Sequence, residues 1–272
     1  VALALGGIWL GTTGPIARAV GWINGWNLVA YDTPYGPVQW PVWFWGAVVL
    51  GFCYLGSVLP VWRFAQPVNY VAFWLVLLGV LAATAGVFWR MPSFQGFPAF
   101  TGFSARGVLA PGVDTPLWPV LFVTIACGAV SGWHSLVSTS GTARHLEKET
   151  DALPVGAGAM FSESVLGVLA VVFAVTAFGG IQGYAEALRA SGPAGVFARG
   201  MAEYLGVVGI GKDFGVACGS AFLVIMALTV MQLVLRFMRV ASAELAGGLV
   251  PALRNIHVGS LVGILLTLVL VW

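Results

Sequence analysis

Residues 131–142 concentrate the groups that could do chemistry. Ser131, Ser135, Ser138, Thr139, Ser140 and Thr142 supply six hydroxyls, with Gly132 and Gly141 among them and His134 in the middle. Just upstream, Ala126, Gly128 and Ala129 are small, and Gly128 with Gly132 forms a GxxxG spacing that lets another helix approach closely. Packing is the ordinary use of that spacing, but the hydroxyls ask for more. A lipid-facing helix gains nothing from them, and irregular backbone at membrane depth survives only where protein or a water-filled cavity satisfies it. The segment therefore reads as a broken or terminating helix lining a polar site, where helix-end NH groups can hold a carboxylate or another anion. The alternative is a helix that reaches the membrane interface near Gly132, its hydroxyls capping a loop; the residues alone leave both open.

Glu163 is the sharpest single residue. It lies within the otherwise charge-free stretch 154–180, beside Ser162 and Ser164. A carboxylate in such a span is costly and marks a substrate, ion or proton path. The expected partner is His134, and the pair is assigned proton handling. The competing reading is an interfacial Glu163, solvated or paired with Lys148 or Arg144. Thr229 and Gln232 form an i, i+3 polar pair, with Arg236 and Arg239 continuing along that face. An interhelical hydrogen bond is their ordinary use, and a substrate contact the functional one. Asn255 and His257 read as interfacial, because no second metal-type ligand lies three or four residues away. Glu147, Glu149 and Asp151 with Arg144 and Lys148 read as a solvated loop. Cys53, Cys127 and Cys218 match neither a disulfide framework nor a zinc spacing and are expected to pack as small hydrophobes.

These groups need a membrane scaffold. The 272 residues are 59% hydrophobic and only 8% charged, with a mean hydropathy of +0.94; soluble domains carry roughly 25% charged residues. Twelve Lys and Arg against ten Asp and Glu leave a formal +2, too few clustered positives for a nucleic-acid surface. No charge falls in 33–62, 64–89, 115–143 or 214–235, each long enough to cross a bilayer at about 20 apolar residues. With 154–180, 255–272 and a shorter run at 1–11, about seven spans are expected. The runs 73–81 and 262–271 are apolar on every side, unlike the alternating strands of a barrel. Trp40, Trp43 and Trp45, then Trp62, Trp89 and Trp118, mark span ends at headgroup level.

Residues 61–69 are expected as a tight turn. The stretch 90–116, containing MPSFQGFPAFTGF, has no helical period and should fold back over the protein. Residues 181–213, with Glu186 near Arg189 and Arg199 near Glu203, suit one or two interfacial helices. The chain opens on Val1 inside apolar sequence and stops on Trp272 in another, so a single transmembrane domain over 1–272, truncated at both ends, is expected. The cations split evenly, Arg63, Arg144, Lys148, Arg236, Arg239 and Arg254 on one side against Arg18, Arg90, Arg106, Arg189, Arg199 and Lys212 on the other; the first set lies in the shorter loops, which assigns that side to the cytoplasm.

The stretch 116–164 resembles the signature of the carbon starvation protein (CstA-type) transporters. ITIACGAISGFHSLVS in that family is close to VTIACGAVSGWHSLVS here, and its NETDA and GYGAMLLEG are close to KETDA and GAGAMFSES. Upstream, SVLPVW from Ser57 to Trp62, Gln66-Pro67 and Tyr70 resemble its ASVLPVWLLLQPRDY, and PAFT from Pro98 to Thr101 matches. The resemblance implies a polytopic inner-membrane carrier of the amino acid-polyamine-organocation type that imports peptides or pyruvate-like nutrients when carbon is scarce. Gly128, Ser131, Gly132, His134, Ser135, Ser138, Ser140 and Glu163 match its motif. Two departures stand out: Trp133 replaces a Phe beside His134, and Gln232 stands where the family's ALTTLDTATRLGRY has its Asp.

The sequence thus points to an all-α polytopic transmembrane helix bundle with a broken helix, a secondary transporter in the inner membrane rather than an enzyme, and no cofactor or metal. Its partners are a small-molecule substrate (peptide or pyruvate), the lipid bilayer and, under the coupled reading, protons; no nucleic acid is expected. Substrate or ion binding is assigned to Gly128, Ser131, Gly132, His134, Ser135, Ser138, Thr139, Ser140, Thr229 and Gln232. The competing class is a non-transporting structural subunit whose polar core is helix-packing glue.

Overall fold

The computed structural model describes residues 2–26, 28–33, 36–98, 100, 102–106, 114–130, 143 and 146–271. It is a helical, membrane-type chain with two short antiparallel hairpins in its connections. Among the described residues four helices are long and apolar enough to cross a membrane, and the chain divides into two compact units. The division falls within the second and the fourth of those helices.

The first unit, residues 1–76 and 224–272, opens with α1 (Ala2–Thr12) and α2 (Gly14–Asn24). Strands β1 (Val29–Thr33) and β2 (Gly36–Gln39) pair antiparallel and lead into α3 (Trp40–Val58). Pro41 suits the first turn of α3, where its missing NH costs nothing. Nineteen residues give about 28 Å, one bilayer core. The helix ends because Leu59 precedes Pro60, which disfavours helical geometry at the residue before it, and Leu59 is extended (ψ 151°). Trp45 Nε1 donates to Asn24 Oδ1 at 2.8 Å, tying α3 to α2. The start of α4 (Ala65–Arg90), the end of α8 (Lys212–Ala246) and α9 (Ile256–Val271) complete this unit, with α9 packed along α3.

The second unit, residues 77–223, takes the rest of α4, then strands β3 (Ser104–Arg106) and β4 (Asp114–Pro116), α5 (Leu117–Val130), α6 (Ala152–Thr176), α7 (Ile181–Leu205) and the start of α8. Helices α6 and α7 pack together through a tight turn in which Gly179 (φ 71°) and Gly180 (φ 122°) adopt conformations that a side chain would strain. The 91–98 stretch folds back as expected: Ile181 N donates to Gly96 O at 3.3 Å, and the Phe97 ring meets Tyr184 edge-on.

Small residues are buried where helices meet, while many large apolar side chains are exposed. Ala65, Ala83 and Ala202 are 1% exposed, whereas Phe88 and Trp89 are 68% and 84% exposed. Phe173 and Tyr204 are buried as well, at 1%, so the departure from a soluble protein lies in the exposed apolar bulk. It follows from lipid being as apolar as Leu, so that helices associate through close-approaching small residues and turn their bulk outward. In the second unit a Cβ on Gly200 would lie 2.6 Å from Phe173 Cβ, and one on Gly86 would collide with the carbonyl of Tyr204.

Of the seven expected spans, four have spanning length among the described residues: Trp40–Val58, Ala65–Arg90, Glu149–Thr176 and Lys212–Ala246. Leu117–Ala126 and Ile256–Val269 are shorter apolar helices, and the run at 1–11 forms the 11-residue α1. Residues 181–205 are helical, bent at Gly192 (φ 66°) before Pro193, with one face buried and Gln182, Glu186, Arg189 and Arg199 exposed. Ala198, Met201, Ala202, Tyr204 and Leu205 are among the most buried residues of their unit. The Ala- and Gly-rich composition that suggested an interfacial helix is what close packing requires. Glu203 pairs with Arg90 of α4 at 2.6 Å, whereas the local i, i+4 spacing had pointed to Arg199.

Candidate functional site

The polar centre that the described residues form lies in the first unit, at the C-terminal end of α3. The last carbonyls of a helix have no partner within it. Here two guanidinium groups from α8 satisfy them. Arg236 Nη2 donates to Gly56 O at 2.8 Å and Leu59 O at 2.6 Å, and Arg239 Nη1 donates to Ser57 O. Positive charge at that end also complements the helix dipole, by roughly 0.3–1 kcal/mol for an exposed cation and more when partly buried.

The same face of α8 carries Gln232, at i and i+4 with Arg236 and i+7 with Arg239. Gln232 is 1% exposed, and its Nε2 donates to Asn69 Oδ1 of α4 at 3.1 Å. Gly56 makes room for it, since a Cβ there would sit 2.7 Å from Gln232 Cβ and Oε1. Among the described residues Gln232 Oε1 and Arg236 Nε have no partner. Ser57 and Ser260, both fully buried, join α3 to α9 at 2.9 Å; Ser260 Oγ donates to Ile256 O, which makes Ser57 the donor between them. Tyr54 OH lies 2.7 Å from His257 Nδ1, and Asn255 Oδ1 accepts from the backbone of His257 and Val258, an N-cap for α9. The arrangement is electropositive and carbonyl-rich, and its carbonyls already hold tethered cations.

The expected site residues fall into three groups. Ser131, Gly132, His134, Ser135, Ser138, Thr139 and Ser140 lie outside the described residues, as does Trp133. Gly128 lies in the last turn of α5. Glu163 stands in α6 and is exposed, as is every described position of that helix from Ala152 to Ser164. The serines beside it turn inward on their own helix: Ser162 donates to Gly158 O and Ser164 to Met160 O, both at 2.9 Å. Thr229 donates to Met226 O at 2.9 Å and borders an apolar cavity of about 490 Å³ with Phe52, Val71, Leu75 and Leu228. That cavity offers a carboxylate no charged partner. Thr229 and Gln232 are therefore separated in role, and Gln232 belongs with the arginines.

Sequence reasoning placed Arg236 and Arg239 on the right face without naming what they hold. The signal was the Gly56 to Pro60 segment, a helix end with a required stop. Among the described residues no group of three or more His, Cys, Asp or Glu gathers as a metal site would.

Comparison with known proteins gives this helical frame a lineage. Residues 22–187 match the family model of carbon starvation protein CstA, more than half of the chain. The chain belongs to the carbon starvation protein CstA family. Within the family it is 37% identical over 123 residues to the peptide transporter CstA of Bacillus subtilis, covering 45% of this chain and 20% of that protein. It is 35% identical over 153 residues to the pyruvate/proton symporter BtsT of Escherichia coli, covering 54% and 20%. The peptide transporter CstA of Campylobacter jejuni is 37% identical over 129 residues, covering 47% and 18%. The chain thus spans about a fifth of the length of these carbon starvation relatives. No solved structure matches it. The family match takes in 131–142, Glu163 and the α3 carbonyls at 56–59 but ends before α8, so the arginines of the clamp lie beyond it.

Proposed function

We propose that this chain is the membrane-embedded part of a secondary transporter of the inner membrane that takes up a small carboxylate-bearing nutrient, a peptide or pyruvate, under carbon starvation. One observation carries the reading: the CstA family match at 22–187 falls on a chain with four helices of spanning length. Relatives at similar identity are named for peptides in one case and for pyruvate with protons in another. A carboxylate is the chemistry those two substrates share.

In this reading the 131–142 segment, with Gly128, holds the substrate through hydroxyls and helix-end NH groups. Glu163 and His134 handle the coupled proton. The exposure of α6 from Ala152 to Ser164 is compatible with a face that another part of the protein lines. The experiment is uptake by proteoliposomes of the whole protein with labelled pyruvate and labelled dipeptides, with and without an imposed proton gradient. Accumulation of one of them driven by the gradient is expected, and Glu163→Gln should abolish the gradient-driven part. Correctly inserted protein that accumulates neither would favour the structural-subunit class. Gradient-driven uptake that survives Glu163→Gln would remove this residue from the proton path.

A further inference from the structure

A second cavity, this one polar and of about 280 Å³, opens in the first unit where α8 ends and α9 begins. Arg239, Glu244 and Arg254 border it together with Val240, Leu253 and Ile256. The volume equals roughly nine water molecules, room for a phosphate and a short amine. Both arginine stems are seated. A Cβ on Gly259 would lie 2.9 Å from Arg239 Cγ, and one on Gly247 would lie 3.2 Å from Arg254 Cγ. Each cation therefore lies over a glycine that leaves space for it.

The position fixes what can reach this cavity. The charge-free stretch of α8 ends at Leu235, and at about 1.5 Å per residue its 35 residues outrun a bilayer core of about 30 Å. The end of α8 therefore emerges into the headgroup layer. Leu245 and Leu249, 86% and 87% exposed, flank the cavity in sequence and present apolar bulk suited to acyl chains. The charges are unequal: Glu244 is the one acid from 214 to 272, against Arg236, Arg239 and Arg254.

We propose that this cavity binds the headgroup of an amine-bearing phospholipid, with Arg254 and the NH groups that Arg239 does not give to Ser57 O on the phosphate and Glu244 on the ammonium. Guanidinium forks suit phosphate oxygens. A carboxylate in a phosphate site would be counterproductive unless the ligand also carries a cation with NH donors. A primary ammonium does, and a quaternary choline offers no NH. The assignment is independent of the transported substrate.

The test is native mass spectrometry of the whole detergent-solubilised protein with equal amounts of ethanolamine, choline and glycerol phospholipids, alongside free phosphoethanolamine and inorganic phosphate. The ethanolamine lipid is expected to be retained over the choline lipid by about fivefold, one charged contact's share of headgroup attraction. Arg254→Gln should lower retention of all phospholipids by a similar factor, about fivefold. Glu244→Gln should erase the preference for ethanolamine while leaving retention itself. Both side chains are exposed, so neither substitution removes packing. Equal retention of ethanolamine and choline lipids by the unaltered protein would overturn the assignment. So would a preference for the glycerol lipid, which would mark a purely anionic site, or binding of free phosphate as strong as that of lipid. Retention unmoved by both variants would place the lipid elsewhere.

Discussion

Arg236 and Gln232 carry different parts of the same junction, and substitution should separate them. Replacing Arg236 with Met removes two charge-assisted bonds and strands the carbonyls of Gly56 and Leu59 at a buried helix end. The expected cost is about 2–3 kcal/mol, read as a fall in the tryptophan-fluorescence melting midpoint in detergent. Arg236→Lys should recover only part, because an ammonium lacks the fork that serves two acceptors at once. A midpoint unmoved by Arg236→Met would mean that the clamp does not hold α3. The fit of Gly56 against Gln232 gives a second residue-scale outcome. Gly56→Ala forces a methyl to 2.7 Å from Gln232, an overpacking worth about 1–3 kcal/mol. Alanine at 232 would keep the Cβ at 2.7 Å, so the partner change is to glycine: Gly56→Ala/Gln232→Gly should return a measurable share of the loss, and strictly additive losses would show that the two do not touch.

At the scale of elements, glycine tells which helix faces are in contact. Gly200 of α7 faces Phe173 of α6 with no room for a methyl, whereas a Cβ on Gly167 of α6 would meet nothing within 4 Å. Gly200→Ala is therefore expected to destabilise the α6–α7 pair by about 1–3 kcal/mol. Gly167→Ala should be neutral or stabilising by up to about 1 kcal/mol through helix propensity. Equal effects in a denaturant titration would contradict the packing. The same pair shows what sequence can and cannot reveal. The start of α3 and the end of α4 were legible, because Trp40 and Trp89 act locally through headgroup preference; α3 ends at Val58, short of the Trp62 expected to close it, because Pro60 stops the helix. The close packing of 181–205 was not legible, because small residues with scattered charges reveal it only against a partner. The clamp was half legible. The spacing of Gln232, Arg236 and Arg239 showed a face, but its acceptors lie some 180 positions away, at the end of α3. No periodicity encodes such a pairing. Residues 131–142, the richest in sequence signal, lie outside the described residues, so the hydroxyl site rests on residue chemistry and on the family match.

For the molecule as a whole, the open quantity is which side faces the cytoplasm, and three positions decide it. Helix α4 has 26 residues, about 39 Å, enough to carry the turn at 61–64 and the loop at 91–98 to opposite faces of a bilayer. The turn at 61–64 and the connection at 247–255 both adjoin the arginine clamp, in one unit, with Arg63, Arg236, Arg239 and Arg254 close in sequence to them. Short loops rich in arginine are retained inside. With the native Cys53, Cys127 and Cys218 replaced, single cysteines at Trp62, Gln95 and Gly248 of the whole protein can be challenged with a membrane-impermeant maleimide. In intact cells Gln95→Cys is expected to react, while Trp62→Cys and Gly248→Cys should react only after the membrane is opened. The reverse pattern would invert the orientation and show that loop length, not the even split of cations, misled the assignment. Reaction of Trp62→Cys and Gln95→Cys from the same side would be more damaging, since α4 would then not span, and a transporter built on its crossing would lose its frame.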